Sequence, residues 1–247
     1  MVNQAAIVTV RNLSKRLPFK PLKQIKGNVR AIDVIVERAK KTNALVILAT
    51  STSIDDNVFE EIAKEHKVKI FRGSLTNKIK RWYECYEKFD LDKAILIDGD
   101  DLSYDFDIGI RALKQLDSQT ELIIHPKDIV CGFFTYAVSR EGIKKIFNTV
   151  PVEEADTDVI TKYLEKAELK SKYITLKEHE KNQMVRLTLD YTEDLEFFRK
   201  LYQELDIKAS GKDIVKYLNK HKAIAMINFH KQKDFLENQE KFNKSVT

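Results

Sequence analysis

AAIVTVRNLSKRLPFKPLKQIKG, residues 5–27, decides the fold. Residues 5–10 are an apolar run that predicts a buried strand, and residues 11–27 carry six cations: Arg11, Lys15, Arg16, Lys20, Lys23 and Lys26. A strand that feeds a Lys/Arg-dense loop and then an amphipathic helix is a common way for an α/β protein to present positive charge to a polyphosphate. Pro18 and Pro21 stiffen the loop, which limits the entropy lost when an anion binds. A basic loop that is simply solvated is the alternative, because Lys and Arg side chains mostly sit in water.

Downstream, strand-like runs alternate with amphipathic stretches, the pattern of a parallel, doubly wound sheet. Strands are expected at Ala5–Val10, Leu45–Ala49, Val68–Phe71, Ala94–Asp98 and Leu122–His125. Helices are expected at Ala31–Lys41, Ile54–Glu65, Asn77–Phe89 and Phe106–Leu116, with apolar residues three and four apart. In such sheets ligands bind at the carboxyl ends of the strands. From about Val130 the pattern changes. A strand rich in aromatics is expected at 131–138, helices at Arg140–Asn148 and Thr157–Ala167, and strands at Tyr173–Leu176 and Met184–Asp190. Residues 206–247 predict one helix, with Ser210 as its N-cap, followed by a polar, lysine-rich, mobile tail.

A length of 247 residues suits one sizeable α/β domain, divided here into a first half at 1–129, a second half at 130–205 and a C-terminal helix and tail at 206–247. With 43% hydrophobic and 33% charged residues the composition is that of a soluble globular protein, and no run approaches the ~18 apolar residues of a membrane span. The N-terminus shows no apolar signal segment, so cytoplasm is the default expectation. Cys85 and Cys131 form no ligand cluster and are expected to be packing thiols. The net charge of +5 is modest and concentrated in the loop, without the interleaved aromatics of a nucleic-acid face, so no nucleic-acid partner is expected.

Asp98, Asp100 and Asp101 end the fourth strand, where carboxylates suit a hard, oxygen-seeking cation. Mg²⁺ takes one or two protein carboxylates, and Asp190, closing the run VRLTLD, is the candidate for a second. Thr192 is read as the cap of the helix that follows, with Glu193 and Asp194 at its positive end. The commoner fate of Asp after a strand is to form turns or cap helices, and Asp55, Asp56, Asp105 and Asp107 are read that way. Asp98 is expected at most to orient Lys15 or a metal-bound water. In FRGS at 71–74, Gly73 permits backbone approach to a flat base, and Ser74 either meets the base edge or caps the helix at 76–89. Arg72 and Arg81 are secondary phosphate candidates. His125, or the neighbouring Lys127, lies near the presumed site edge, where either is a candidate for an acceptor carboxylate. Aromatics at 82–89 and 197–202 fall at helical spacing and are read as core.

The order of residues in the loop resembles the nucleotide-binding signature of the cytidylyltransferases that activate 3-deoxy-ulosonic and acylneuraminic acids, especially the branch of spore-coat polysaccharide biosynthesis protein F. Arg11, Ser14, Arg16, Leu17, Pro18, Lys20, Ile25 and Gly27 match in register, and FRGS at 71–74, DGDD at 98–101 and RLTLDYTEDLEFFRKLY at 186–202 follow in the family's order. The resemblance implies a Rossmann-like, mostly parallel sheet of the nucleotide-diphospho-sugar transferase type with a small dimerisation extension, and a catalytic site built by Lys20, Asp100 and Asp190. It implies Arg11, Ser14, Lys15, Arg16, Lys20, Arg72, Gly73 and Ser74 as nucleotide contacts, Mg²⁺ on Asp100 and Asp190, CTP and an acidic sugar as substrates, and a homodimer.

Two departures stand out. Phe19 occupies a position usually held by Gly, and DLSYD at 101–105 lacks the Pro usual after the metal-binding acid. Two rival readings share the fold: a glycosyltransferase using Asp98-Gly99-Asp100 as a D-x-D motif, and a degenerate nucleotide binder without turnover.

Overall fold

The computed structural model describes residues 2–14, 16–151, 155–157, 160–181, 184–234 and 237. In chain order they form β1 (Gln4–Thr9), a 3-10 turn at Lys20–Leu22, β2 (Gln24–Lys26), β3 (Val29–Arg30), α1 (Ala31–Lys40), β4 (Leu45–Ser51), α2 (Val58–His66), β5 (Lys69–Gly73), α3 (Lys78–Phe89), β6 (Lys93–Asp98) and α4 (Phe106–Gln115). Then come β7 (Leu122–Ile124), β8 (Tyr136–Ser139), α5 (Arg140–Asn148), α6 (Thr161–Lys166), β9 (Ser171–Tyr173), α7 (Thr192–Glu204), α8 (Gly211–Lys220) and α9 (Lys222–Phe229).

Seven strands pair in the order β5, β4, β1, β6, β8, β7, β9, with β2 and β3 as a separate hairpin. The β5–β4–β1–β6 half is parallel, while β8 runs antiparallel to both β6 and β7, and β9 is parallel to β7. The sheet is therefore mostly parallel and covered by helices on both faces. Alternation along β1 shows why: Ala6 and Val8 pack with α1, α2, α4, α7 and α8, whereas Ala5 and Ile7 pack with α3, α5 and α6. The aromatics assigned to the core are there, with Trp82, Tyr86, Phe197, Phe198 and Tyr202 fully buried. Both thiols are held up to about 12 by burial, consistent with packing rather than chemistry.

The first half follows the sequence expectation to within a residue or two except at α2, expected from Ile54 but beginning at Val58 after a 3-10 turn at Ile54–Asp56; the second half departs further from it. The expected strand at 131–138 is confined to Tyr136–Ser139, because residues 130–133 turn, with Gly132 at φ 89°. A Cβ on Gly132 would lie 2.4 Å from the Leu187 carbonyl oxygen, so glycine lets the two segments approach. The expected strand at 184–190 is instead extended chain with one isolated bridge, Cys131 to Arg186. Its N–H groups are satisfied piecemeal, Leu187 donating to Cys131 (2.9 Å) and Leu189 to Asp100 (2.8 Å). The strand expected at Tyr173–Leu176 forms earlier, at Ser171–Tyr173, and the helix expected from Thr157 begins at Thr161. Beyond α8, whose cap Ser210 accepts from Asp213 N–H at 3.2 Å as expected, the chain makes a second helix, α9, rather than passing directly into a tail. Residues 238–247 of the expected tail lie outside those described.

Thr192 is not the cap of α7. Asp194 turns back and accepts the N–H groups of Asp190 (2.8 Å) and Tyr191 (2.9 Å). Among the described residues no helix is long and apolar enough to cross a membrane.

Candidate active site

The phosphate-type loop leaves β1 and is pinned where it starts. Asp56, fully buried, accepts the Asn12 N–H at 2.7 Å and the Ser51 hydroxyl at 2.5 Å, while the Asn12 amide donates to the Asp55 carbonyl at 2.6 Å. Asp56 is thus more than the turn former expected of it: it is the buried anchor of the loop. Within the loop Leu17 donates to the Ser14 hydroxyl at 3.3 Å, a local turn that brings Arg16 round. The loop closes through Phe19, which holds φ 54° and ψ 32° and leaves its ring about half exposed, at 53%. That left-handed conformation is the one glycine adopts freely, which explains the usual residue at this position.

Lys20 then reaches inward. Its ammonium lies 2.5 Å from Asp100 Oδ2 and 3.2 Å from Asp190 Oδ1, joining the loop, the end of β6 and the segment before α7 at one point. Arg16 adds a 2.6 Å bond to Asp190 Oδ1, and its guanidinium sits 5.3 Å over the Tyr191 ring. Burial works against the Lys20 charge, but Asp100 and Asp190 outweigh it and raise its pKa. Burial likewise opposes the Asp190 charge, yet Lys20, Arg16 and Arg186 hold that carboxyl well below its usual range. Asp100, with burial and the nearby charges of Asp190 and Asp98 opposing Lys20, is pushed up, and Asp101 is pushed well up by burial and the charges of Asp100, Asp98 and Asp190.

Asp98 pairs with Lys78 at 3.5 Å, and Lys78 lies 5.1 Å over the Trp82 ring. Lys15 lies outside the described residues. Between the acids, a Cβ on Gly99 would stand 2.6 Å from the Thr9 carbonyl oxygen, so the middle residue of DGD is glycine because β1 and β6 close there.

The FRGS residues are placed differently. Arg72 is directed to the outer side of β4, donating to Ser51 (3.0 Å) and Ser53 (2.7 Å) carbonyls and to Glu60 (2.5 Å), so the structure does not bring it to Lys20. Gly73 is crowded by Phe71 and Arg81. The Ser74 hydroxyl accepts the Asn77 N–H at 3.0 Å, just ahead of α3, whose N-cap is Asn77 itself. Arg81 is buried and donates to the Ser74 carbonyl at 3.1 Å. Arg11 reaches the same turn, at the Leu75 carbonyl (3.4 Å), and so ties the loop to it. Asp105 caps α4 as expected, accepting from Asp107 N–H at 2.9 Å. His125 Nδ1–H donates locally, to the Pro126 carbonyl at 3.1 Å.

Several site residues escaped the sequence reading. Lys78 lies in the basic stretch after FRGS, a signal within reach. Arg186 and Asp194 lie in the quoted 186–202 motif, where Asp194 was read only as a helix-end charge, and Asn228 gave no signal; all three are fully buried and meet through tertiary contacts.

The buried carboxylate of Asp190 and the partly exposed one of Asp100 converge on the Lys20 ammonium and form an all-oxygen donor pair. That donor set fits Mg²⁺, which would be held by Asp100 and Asp190. Lys20 and Arg16 border the same point and suit an oligophosphate.

The cytidylyltransferase family model matches residues 5–102, which span β1, the loop, the FRGS turn and the DGDD strand end. Spore coat polysaccharide biosynthesis protein SpsF of Bacillus subtilis is 26% identical over 230 residues, covering 87% of this chain and 93% of that protein. Among solved structures, a cytidylyltransferase from Leptospira borgpetersenii superposes with a TM-score of 0.80 at 21% identity, covering 91% and 97% of the two chains. CMP:2-keto-3-deoxy-manno-octonic acid synthetase complexed with CTP gives 0.61 at 18%, covering 82% and 100%. The resemblance read from the loop is borne out, and the sheet is of the cytidylyltransferase type. The family match over residues 5–102 indicates a nucleotidyltransferase, and the superpositions show that the rest of the chain shares that fold.

Proposed function

We propose that the chain transfers CMP from CTP to an acidic sugar, of the 3-deoxy-ulosonic or nonulosonic class, in a Mg²⁺-dependent reaction that releases pyrophosphate for surface-polysaccharide synthesis. The observation that carries this reading is Lys20, which links the basic loop to Asp100 and Asp190. A glycosyltransferase acting on a nucleotide-sugar has no free triphosphate to grip, and the loop has little purpose in such an enzyme.

In this reading the sugar hydroxyl attacks the α-phosphorus in line. The new O–P bond forms as the bond to the β-phosphate breaks, pyrophosphate departs, and the hydroxyl proton is lost to solvent. Arg16 and Lys20 hold the triphosphate and offset charge growing on the leaving group, while Arg11 and Ser14 shape the loop and the 73–74 turn borders the nucleotide. Mg²⁺, when bound, supplies Lewis-acid polarisation of the α-phosphate. No side-chain nucleophile is needed. The exposed Phe19 ring leaves the inner face of the loop to the phosphates, which favours turnover over a degenerate binder. The 130–205 half supplies the acceptor pocket and the contact of a homodimer in the cytoplasm.

The test is pyrophosphate release by the purified protein across four nucleoside triphosphates, with a panel of sugar acids and sugar phosphates. Release confined to CTP plus a keto-sugar acid supports the reading; release only with sugar phosphates, or with no acceptor in the panel, contradicts it.

A further inference from the structure

Asp190 uses its two oxygens differently. Oδ1 faces the loop, at Arg16 and Lys20, whereas Oδ2 is turned back onto Arg186, 2.9 Å away. Arg186 is fully buried and forks between two acids, meeting Asp194 at 3.0 Å and 3.2 Å as well. Asp194 in turn holds the Asp190 and Tyr191 N–H groups, so the backbone and side chain of Asp190 are fixed by one carboxylate and one guanidinium.

The outermost member comes from the C-terminal region. Asn228, fully buried on α9, donates to Asp194 Oδ1 at 2.8 Å and to the Arg186 carbonyl at 3.1 Å. The chain just past α9 continues the clasp: Gln232 Oε1 accepts from Arg186 at 3.2 Å, and Lys231 pairs with Glu193 at 3.2 Å while lying 5.4 Å from the Tyr191 ring centre. Arg186 and Asp194 each bond Asp190 directly, and Asn228 bonds both of them.

We propose that Asn228, Asp194 and Arg186 form a positioning relay through which the C-terminal helix α9 orients Asp190, so that Oδ1 alone is presented to the phosphate loop. Outer partners of a ligating carboxylate fix its orientation, and their loss typically weakens metal binding about 10- to 100-fold. The inference rests on reading Asp190 as a metal-holding carboxylate. It makes α9 a part of the site although it lies far along the chain from every motif of the loop.

The test compares the full-length parent with Asn228→Leu and Arg186→Lys. Asn228→Leu is near-isosteric and also removes a buried amide oxygen that has no hydrogen-bond partner, so the fold should survive. Arg186→Lys keeps the charge but loses the fork that spans two acids. Two quantities are read: CTP affinity by calorimetry in EDTA, and Mn²⁺ affinity of the CTP-bound protein by electron paramagnetic resonance. The relay predicts Mn²⁺ binding weakened at least about tenfold in both folded variants, with metal-free CTP affinity within about twofold of the parent. Unchanged Mn²⁺ affinity in Asn228→Leu overturns the relay. A parent that binds CTP but no Mn²⁺ overturns instead the metal reading on which it depends. Should Arg186→Lys not fold, Asn228→Leu alone decides.

Discussion

Leu189 and Asp100 are joined through the backbone, the N–H of Leu189 donating to the Asp100 carbonyl at 2.8 Å. This one bond sets the segment carrying Asp190 against the end of β6, so that residues 90 apart in sequence offer their carboxylates to the same lysine. Both acids are on short connections from buried chain, since Leu187 and Leu189 are fully buried. The pair is built by the core rather than by a flexible loop.

Lys20 should dominate nucleotide affinity. Replacing it by Ala removes a charged donor and is expected to weaken CTP binding by about 2–3 kcal/mol, the scale of a lost charged hydrogen bond. Calorimetry checks this; an unchanged affinity would show that the loop does not hold the triphosphate.

Asp100→Asn and Asp190→Asn should each abolish turnover. Asp190→Asn should also lower the melting temperature, because three cations lose their anion there, while Asp100, paired among the described residues with Lys20 at 2.5 Å, should cost less. Asp105→Asn should remain active but be slightly less stable, as befits a helix cap. Activity assays with thermal melts separate the three, and turnover in either of the first two variants sinks the two-carboxylate site.

Phe19→Gly should leave stability unchanged or raise it. The left-handed backbone costs a bulky residue about 1 kcal/mol or more, whereas Gly adds about 0.5–1 kcal/mol of unfolded-state entropy and the ring is mostly in water. Nucleotide affinity should be kept or raised. Denaturant titration showing a loss well beyond about 1 kcal/mol would mean the ring is packed rather than exposed.

Stability should fall in acid through a cluster on α1. Burial raises the Asp33 pKa, but bonds from His66 (2.8 Å) and Arg30 prevail and take it down to about 2; Glu37 is likewise opposed by burial yet taken to about 2 by Lys208 and Lys40. Because both carboxyls bind protons more tightly when unfolded, their contribution is complete above their ordinary values of 3.8 and 4.5 and is lost as pH falls toward about 2. The double variant Asp33→Asn/Glu37→Gln should therefore show a flatter melting-temperature profile between about pH 5 and pH 2 than the parent. Parallel profiles would assign the acid sensitivity elsewhere.

The first half was legible because each of its strands is flanked by a helix with its own apolar period, so local pattern and tertiary role agree. VRLTLD misled for a physical reason: Val185, Leu187 and Leu189 alternate like a strand and are buried like one, but their backbone partners come from two different segments rather than a ladder. Lys20 and the two acids were readable from residue order in the loop and at the strand ends. Arg72 was misplaced because an arginine after a strand looks the same whether it faces a ligand or, as here, the carbonyls of the neighbouring loop. Asn228 and Lys222 are the polar residues of an otherwise apolar helix, and nothing in the sequence says which buried acid Asn228 will meet.

The most direct test is a crystal structure of the protein with CTP and Mg²⁺. The account predicts the triphosphate against Arg16 and Lys20, with the metal on Asp100 and Asp190. A nucleotide bound elsewhere on the sheet, or a triphosphate that touches neither Lys20 nor a metal on those two acids, would contradict it.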